Sequence, residues 1–365
     1  MRLLRGFGWM VLSLMVSACA GVREKPQFTM GLDASRNTWR LMWPSASDHE
    51  IPRYFYVGQL TGENNFIQPK SSEKSLKRAA LWFFDLVSGE APPIVLDRPQ
   101  AGVVDESGRI LVTDIGRGQV FVFDEITPEL LTWDKAEGLT SFISPVGIAL
   151  GPEGQVFVAD ADLGLVARLD RAGNPLESIG KGQLARPNGV AYDALRKTIY
   201  VADTTAHKIK IFDLEGKLLD EIGELGDGPG QFNFPTHIAI RHNRLYVTDT
   251  MNARVQVLAL DSGTYQGTVG KRGMAIGDFT RPKGVAADGG RNIYVVEAYF
   301  DHLLIFNRRG EFLMPIGGVG DAPGQFHLPA GVWVDVRNRV FVADMMNSRV
   351  QVFQFLGGDA DNDAD

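Results

Sequence analysis

One phrase recurs six times along this chain, and it restricts the fold more than any other feature. Each copy starts with Pro, continues through a small residue into an apolar strand, and closes on a second apolar strand ending in Asp or Glu. The copies occupy 99–114 (PQAGVVDESGRILVTD), 145–160 (PVGIALGPEGQVFVAD), 187–203 (PNGVAYDALRKTIYVAD), 235–249 (PTHIAIRHNRLYVTD), 282–297 (PKGVAADGGRNIYVVE) and 329–344 (PAGVWVDVRNRVFVAD). Successive prolines lie 42 to 48 residues apart. A period of that length, made of short apolar runs, is the mark of a repeated four-stranded sheet, and so of a propeller.

After the acidic residue each copy carries a polar turn and a third strand, such as VFVFD, IKIFD or VQVFQF, and several end a fourth segment in Gly180, Gly223, Gly270 or Gly317. β-branched and aromatic residues fill the strands, and Gly, Asp and Asn fill the turns. Between units run GQLARP, GQFNFP, GDFTRP and GQFHLP, whose Phe or Leu is expected to plug the space between blades. The Pro then opens the next inner strand without needing a donor. The sixth copy has three strands. The segment 53–66 (RYFYVGQLTGENNF) lines up with the fourth segment and plug at 222–232, so an N-terminal strand should complete the last blade. That closure removes free sheet edges. The fold class expected is all-β, a six-bladed propeller over 51–356 with one helical insertion at about 70–90.

The copies resemble the NHL repeat, whose pattern is roughly P-x-G-I-A-V-D…G-x-V-Y-V-A-D-x-x-N-x-R-V-Q-V-F. The sixth, PAGVWVDVRNRVFVADMMNSRVQVF, fits closely. Departures are Ala101 and His237 in the Gly slot, Glu297 for Asp, and a second blade without the Asn and Arg of the turn. The region around Trp43-Pro44 and 52–58 is similar to bacterial six-bladed propeller lipoproteins. The resemblance implies a fold used for protein scaffolds, RNA binders, sensors and a few lyases or hydrolases; fold alone does not choose among them.

Residues 1–18 read as a signal peptide, with Arg2 and Arg5 before an apolar run. The run ends VSAC, which resembles a lipobox with Cys19 as the lipidated residue, the single cysteine of the chain. Acyl chains would then serve as the anchor. Ala20 in the next position resembles an outer-membrane sorting signal. Residues 19–50 read as a tether, with a short strand near 38–42, and 357–365 as an acidic disordered tail. Removing 1–18 takes away two arginines from a formal charge of −7, giving −7 − 2 = −9. Nucleic acid is a poor partner for such a chain, because its binding rests on phosphate neutralisation. The expected localisation is the bacterial envelope, and the expected partners are envelope proteins.

The insertion at 71–90 (SSEKSLKRAALWFFDLVSGE) reads as a helix with a Ser cap and a Gly stop. It either packs on the first or sixth blade or docks a partner or membrane surface.

Propeller ligands enter at the channel mouth, where Gln100, Asn188, His237 and Lys283 occupy related slots of inner strands. His237 is the pointed departure: a channel-lining polar residue or, with further ligands, a general base or a calcium or zinc ligand. No catalytic constellation accompanies it, so no cofactor is assigned and a binding module is favoured over a metal-dependent lyase or hydrolase. The repeated acids, faced five residues on by Lys208, Arg254, His302 and Arg349, read as braces across a turn. Finally, Met251, Tyr299, Phe300, Met345 and Met346 put apolar side chains on turns that are usually polar. They either tuck against the next blade or form a partner surface.

Overall fold

The computed structural model describes residues 26–30, 41–45, 50–67, 92–290 and 292–357. Six antiparallel sheets follow one another along the chain, each running from an innermost strand that begins with the repeat's Pro. Those innermost strands are Pro99–Val104, Pro145–Leu150, Pro187–Asp193, Pro235–Arg241, Pro282–Ala287 and Pro329–Val334. Blades one, three, four and five each hold four strands in sequence order, and blade two holds three with isolated bridges from Ile179 and Pro175 beyond them. Blade six is closed from the N-terminal side. Tyr54–Leu60 pairs antiparallel with Arg349–Phe355, from Leu60 opposite Val350 to Tyr54 opposite Phe355.

The expected tether contributes more than a linker. Met42–Trp43 pairs with Tyr54–Phe55 as a fifth strand of blade six, and Gln27–Phe28 pairs with Phe66–Ile67. Aromatic packing explains both additions: Trp43 lies edge-on to Phe353 at 5.4 Å, and Phe28 meets Phe66 at 5.3 Å. The signal peptide, Cys19, the helix at 71–90 and the tail beyond Gly357 lie outside the described residues.

The core is divided among the six blade interfaces, with one apolar cluster at each. The plugs fall where the repeat places them. Phe232, Phe279 and Phe326 are fully buried, Leu184 and Phe66 nearly so, each within the cluster joining two blades. Near the axis the inner strands approach so closely that glycine is a packing requirement. A Cβ on Gly147 would meet the Asn188 carbonyl oxygen at 2.1 Å, and one on Gly331 would meet that of Gln100 at 2.2 Å.

Two faces result. The upper face carries the loops between blades and the turns from second to third strands. The lower face carries the turns from first to second and third to fourth strands.

Candidate functional site

The repeated acids are fully or almost fully buried, and their partners are hydrogen-bond donors of the upper loops. Asp249 accepts from the Asn233 backbone, Asn252, Arg254 and Gln256; Asp344 accepts from the His327 backbone, Asn347, Arg349 and Gln351. The ion pairs are 2.8 Å for Arg254–Asp249 and 2.7 Å for Arg349–Asp344. This is the expected brace, and it ties the loop between blades to the turn. Two positions depart from expectation. Lys208 pairs with Glu221 of the next strand at 2.5 Å, while Lys210, two residues on and so on the same strand face, holds Asp203 at 2.9 Å. His302 makes no hydrogen bond to Glu297, which instead accepts backbone N–H groups of Thr280, Arg281 and Tyr299. Burial outweighs those donors and pushes the Glu297 carboxyl up from its ordinary range.

At the channel mouth five inner strands shift register between the Pro and the fourth residue, and that of blade two between Pro145 and Gly147. Such bulges release the second and third residues from the ladder and re-aim their side chains. Asn188 and Lys283 stand second in their inner strands and His237 third, in the Gly slot of blade four, where Lys283 of the next blade lies close enough to act on it. Gln100 is buried, and its amide turns back toward the Arg98 and Pro99 carbonyls at 3.4 and 3.3 Å. Both ring nitrogens of His237 are covered and have no hydrogen-bond partner. Burial, with the Lys283 ammonium beside it, drives the imidazole down to about 4, so the ring is neutral at pH 7. Burial and Arg281 also lower Lys283, whose ammonium has no ion pair among the described residues. A neutral imidazole beside an unpaired cation suits an anionic or carbonyl oxygen better than a metal ion. Among the described residues no group of three His, Cys, Asp or Glu could hold a metal.

On the upper face the apolar turn residues divide. Met251, Tyr299 and Met346 are 52, 55 and 50% exposed. Phe300 is half-buried, edge-on to Tyr299 at 4.9 Å, in a small pocket with Met274, Ile276, Glu297 and His302. Met345 tucks partly against the cluster between blades six and one. The neighbouring interblade loops add Leu225, Met274, Ile276 and Val319, all more than 60% exposed, which sequence reasoning missed. The available signal was an apolar residue in a Gly-rich loop otherwise needing none.

A family model described as 6-bladed beta-propeller (DUF5128) matches residues 190–270 and 285–361. Among curated proteins, the chain is 33% identical to "Protein brain tumor" of Drosophila melanogaster over 137 residues, 38% of this chain and 13% of that protein. It is 28% identical over 157 residues to "NHL repeat-containing protein 2" of Bos taurus, 34% of this chain and 22% of that protein. The chain thus spans under a quarter of the length of these relatives. Similar solved structures include an auxiliary nutrient binding protein of Bacteroides thetaiotaomicron, with TM-score 0.57, 12% identity, and coverage of 72% of this chain and 70% of the other. A streptogramin B lyase gives TM-score 0.54 at 12% identity, covering 71% and 94%. These structural likenesses speak to fold. The chain is a six-bladed β-propeller with NHL-repeat homologues.

Proposed function

We propose that this propeller is a non-catalytic binding module of the bacterial envelope, anchored through lipid on Cys19, which docks an envelope protein on its upper face. One observation carries the reading: exposed Met251, Tyr299 and Met346 crown blades four to six, where turns are ordinarily polar. Exposed apolar loop residues beside them widen the surface, and methionine adapts to a partner's shape. A lipid anchor fits a chain whose described residues include no helix long and apolar enough to cross a membrane. The test is site-specific photo-crosslinking in intact cells from position 299, with lower-face Leu195, 83% exposed, as control. A discrete adduct from 299, absent from 195 and lost on Met346→Ser with Met251→Ser, is expected. Equal adducts from both positions would overturn the docking surface. Cys19→Ser should release the chain to the soluble fraction; retention in membranes would overturn the anchor.

The unpartnered His237 nitrogens favour a second reading, a lyase or hydrolase working at the channel mouth. Calcium or zinc there would need further anionic or neutral donors in place of Lys283. Elemental analysis of protein purified without added metal decides: stoichiometric metal lost on His237→Ala supports it, and its absence leaves the binding module.

A further inference from the structure

The lower turn of blade four breaks the repeat in a way that leaves positive charge unanswered. In blades one, three and six the inner strand ends in an aspartate that pairs with an arginine across the turn. Asp105 holds Arg109 at 2.7 Å, Asp193 holds Arg196 at 2.8 Å and Asp335 holds Arg339 at 2.7 Å. Blade four replaces that acid with Arg241. Its turn is a tight one, with His242 and Asn243 both left-handed at φ 49° and 56°, and Arg241 stands directly opposite Arg244 in the ladder. Like charges in that relation repel. No side-chain ion pair or hydrogen bond is made by Arg241 or Arg244 among the described residues.

The same place holds an unused hydroxyl. The tyrosines at the equivalent position of neighbouring blades are satisfied: Tyr200 donates to the Leu260 carbonyl at 3.1 Å, and Tyr294 donates to Asp288 at 2.8 Å. Tyr246 is 4% exposed, yet its hydroxyl has no partner. It opens onto a groove of about 420 Å³ lined by His242, Arg244, Tyr246, Arg308 and Arg309. Arg308 and Arg309 come from the outer turn of blade five, and their side chains are likewise unpaired among the described residues. No acid lines the groove, although the chain carries a formal charge of −7.

We infer that this groove is an oxyanion site whose ligand is a phosphate-bearing molecule, seated beside the position where blades one, three, five and six keep a carboxylate. Arg244 offers a planar fork to two of its oxygens, and the Tyr246 hydroxyl donates to a third. Arg308 and Arg309 supply the charge that a dianion needs and a single carboxylate does not. The volume admits a phosphorylated small molecule beyond the phosphate itself.

The experiment is calorimetric titration of the full chain with inorganic pyrophosphate at constant ionic strength, with phosphatidylglycerol vesicles as a second arm. Saturable pyrophosphate binding is expected, weakened about tenfold or more by Arg308→Ala with Arg309→Ala, both on an exposed turn, and by Tyr246→Phe. Arg241→Asp, which restores the acid that blades one, three, five and six carry, should occupy Arg244 internally and weaken binding to a similar degree while the melting temperature holds or rises. Vesicle binding abolished by the same arginine substitutions would assign the phosphate to a lipid headgroup. Absence of binding in both arms, or binding indifferent to all three variants, would overturn the site.

Discussion

Blades four and six tie their upper turns with the same four kinds of side chain: an aspartate, an asparagine, an arginine and a glutamine, at Asp249, Asn252, Arg254 and Gln256 in one and Asp344, Asn347, Arg349 and Gln351 in the other. Their lower ends differ. Blade six closes with Asp335 and Glu125 both on Arg339, while blade four presents Arg241 to Arg244 with nothing between them. Near the axis blade six keeps Gly331 where blade four carries His237. The repeat is thus held where it joins one blade to the next and abandoned where a blade meets solvent or the channel. A sequence that breaks its own local rule at positions that do not hold the ring together is marking function rather than structure.

The largest test of that division is Asp249→Ala beside Asp344→Ala. Each leaves an arginine without its acid, buried Arg349 in blade six and partly buried Arg254 in blade four, which costs up to about 3–5 kcal/mol. Denaturant unfolding should give similar losses in the two blades, and a much smaller loss in blade four would mean that its brace is not equivalent. Next in size is a pH effect confined to blade four. His237 is neutral when folded because its affinity for protons is depressed, so the unfolded chain binds more protons as pH falls. Stability is full above the ordinary histidine range near 6.5 and declines toward the folded value of about 4, by about 3 kcal/mol at the low end. His237→Gln should flatten that slope; an unchanged pH profile would mean the imidazole is solvated. Arg241→Asp should stabilise by about 0.5–1 kcal/mol, since it replaces a like-charged cross-strand pair with an opposite one. A loss of stability would show that Arg241 already has a role the turn depends on. Smallest of all, Tyr299→Ser and Met346→Ser should shift stability by less than about 0.5 kcal/mol. A larger loss would favour packing over partner docking at the upper face.

Much of this was legible in residues. The Gly slot, the Phe plugs and the acid at the end of the second strand have one geometrical solution each, so Phe232 and Asp249 declare their places before folding. Arg241 went unnoticed in the sequence, although it stands where blades one, three, five and six place an aspartate; only the ladder that sets it opposite Arg244 gives that departure its meaning. Other positions depended on neighbours remote in sequence. Lys210 displaced Lys208 as the partner of Asp203 because Glu221, on the neighbouring strand, takes Lys208 while both lysines share one strand face. Met345 lost exposure against the cluster between blades six and one and Phe300 in the pocket with Met274 and Ile276, whereas Met251 and Tyr299 keep theirs.

The six-fold period, the strand order and the closure by Tyr54–Leu60 were determined by sequence alone, because periodic apolar strands of this length are stable only when each face is covered by the next copy. Which polar groups remain without partners was decided by the tertiary structure. The His237 nitrogens, the Lys283 ammonium, the Tyr246 hydroxyl and the Arg244 guanidinium are left without partners by what the fold places around them, Lys283 of blade five beside His237 and Arg241 opposite Arg244. Hydrogen bonds and ion pairs act over a few ångströms, and only the closed ring sets which blades stand that close.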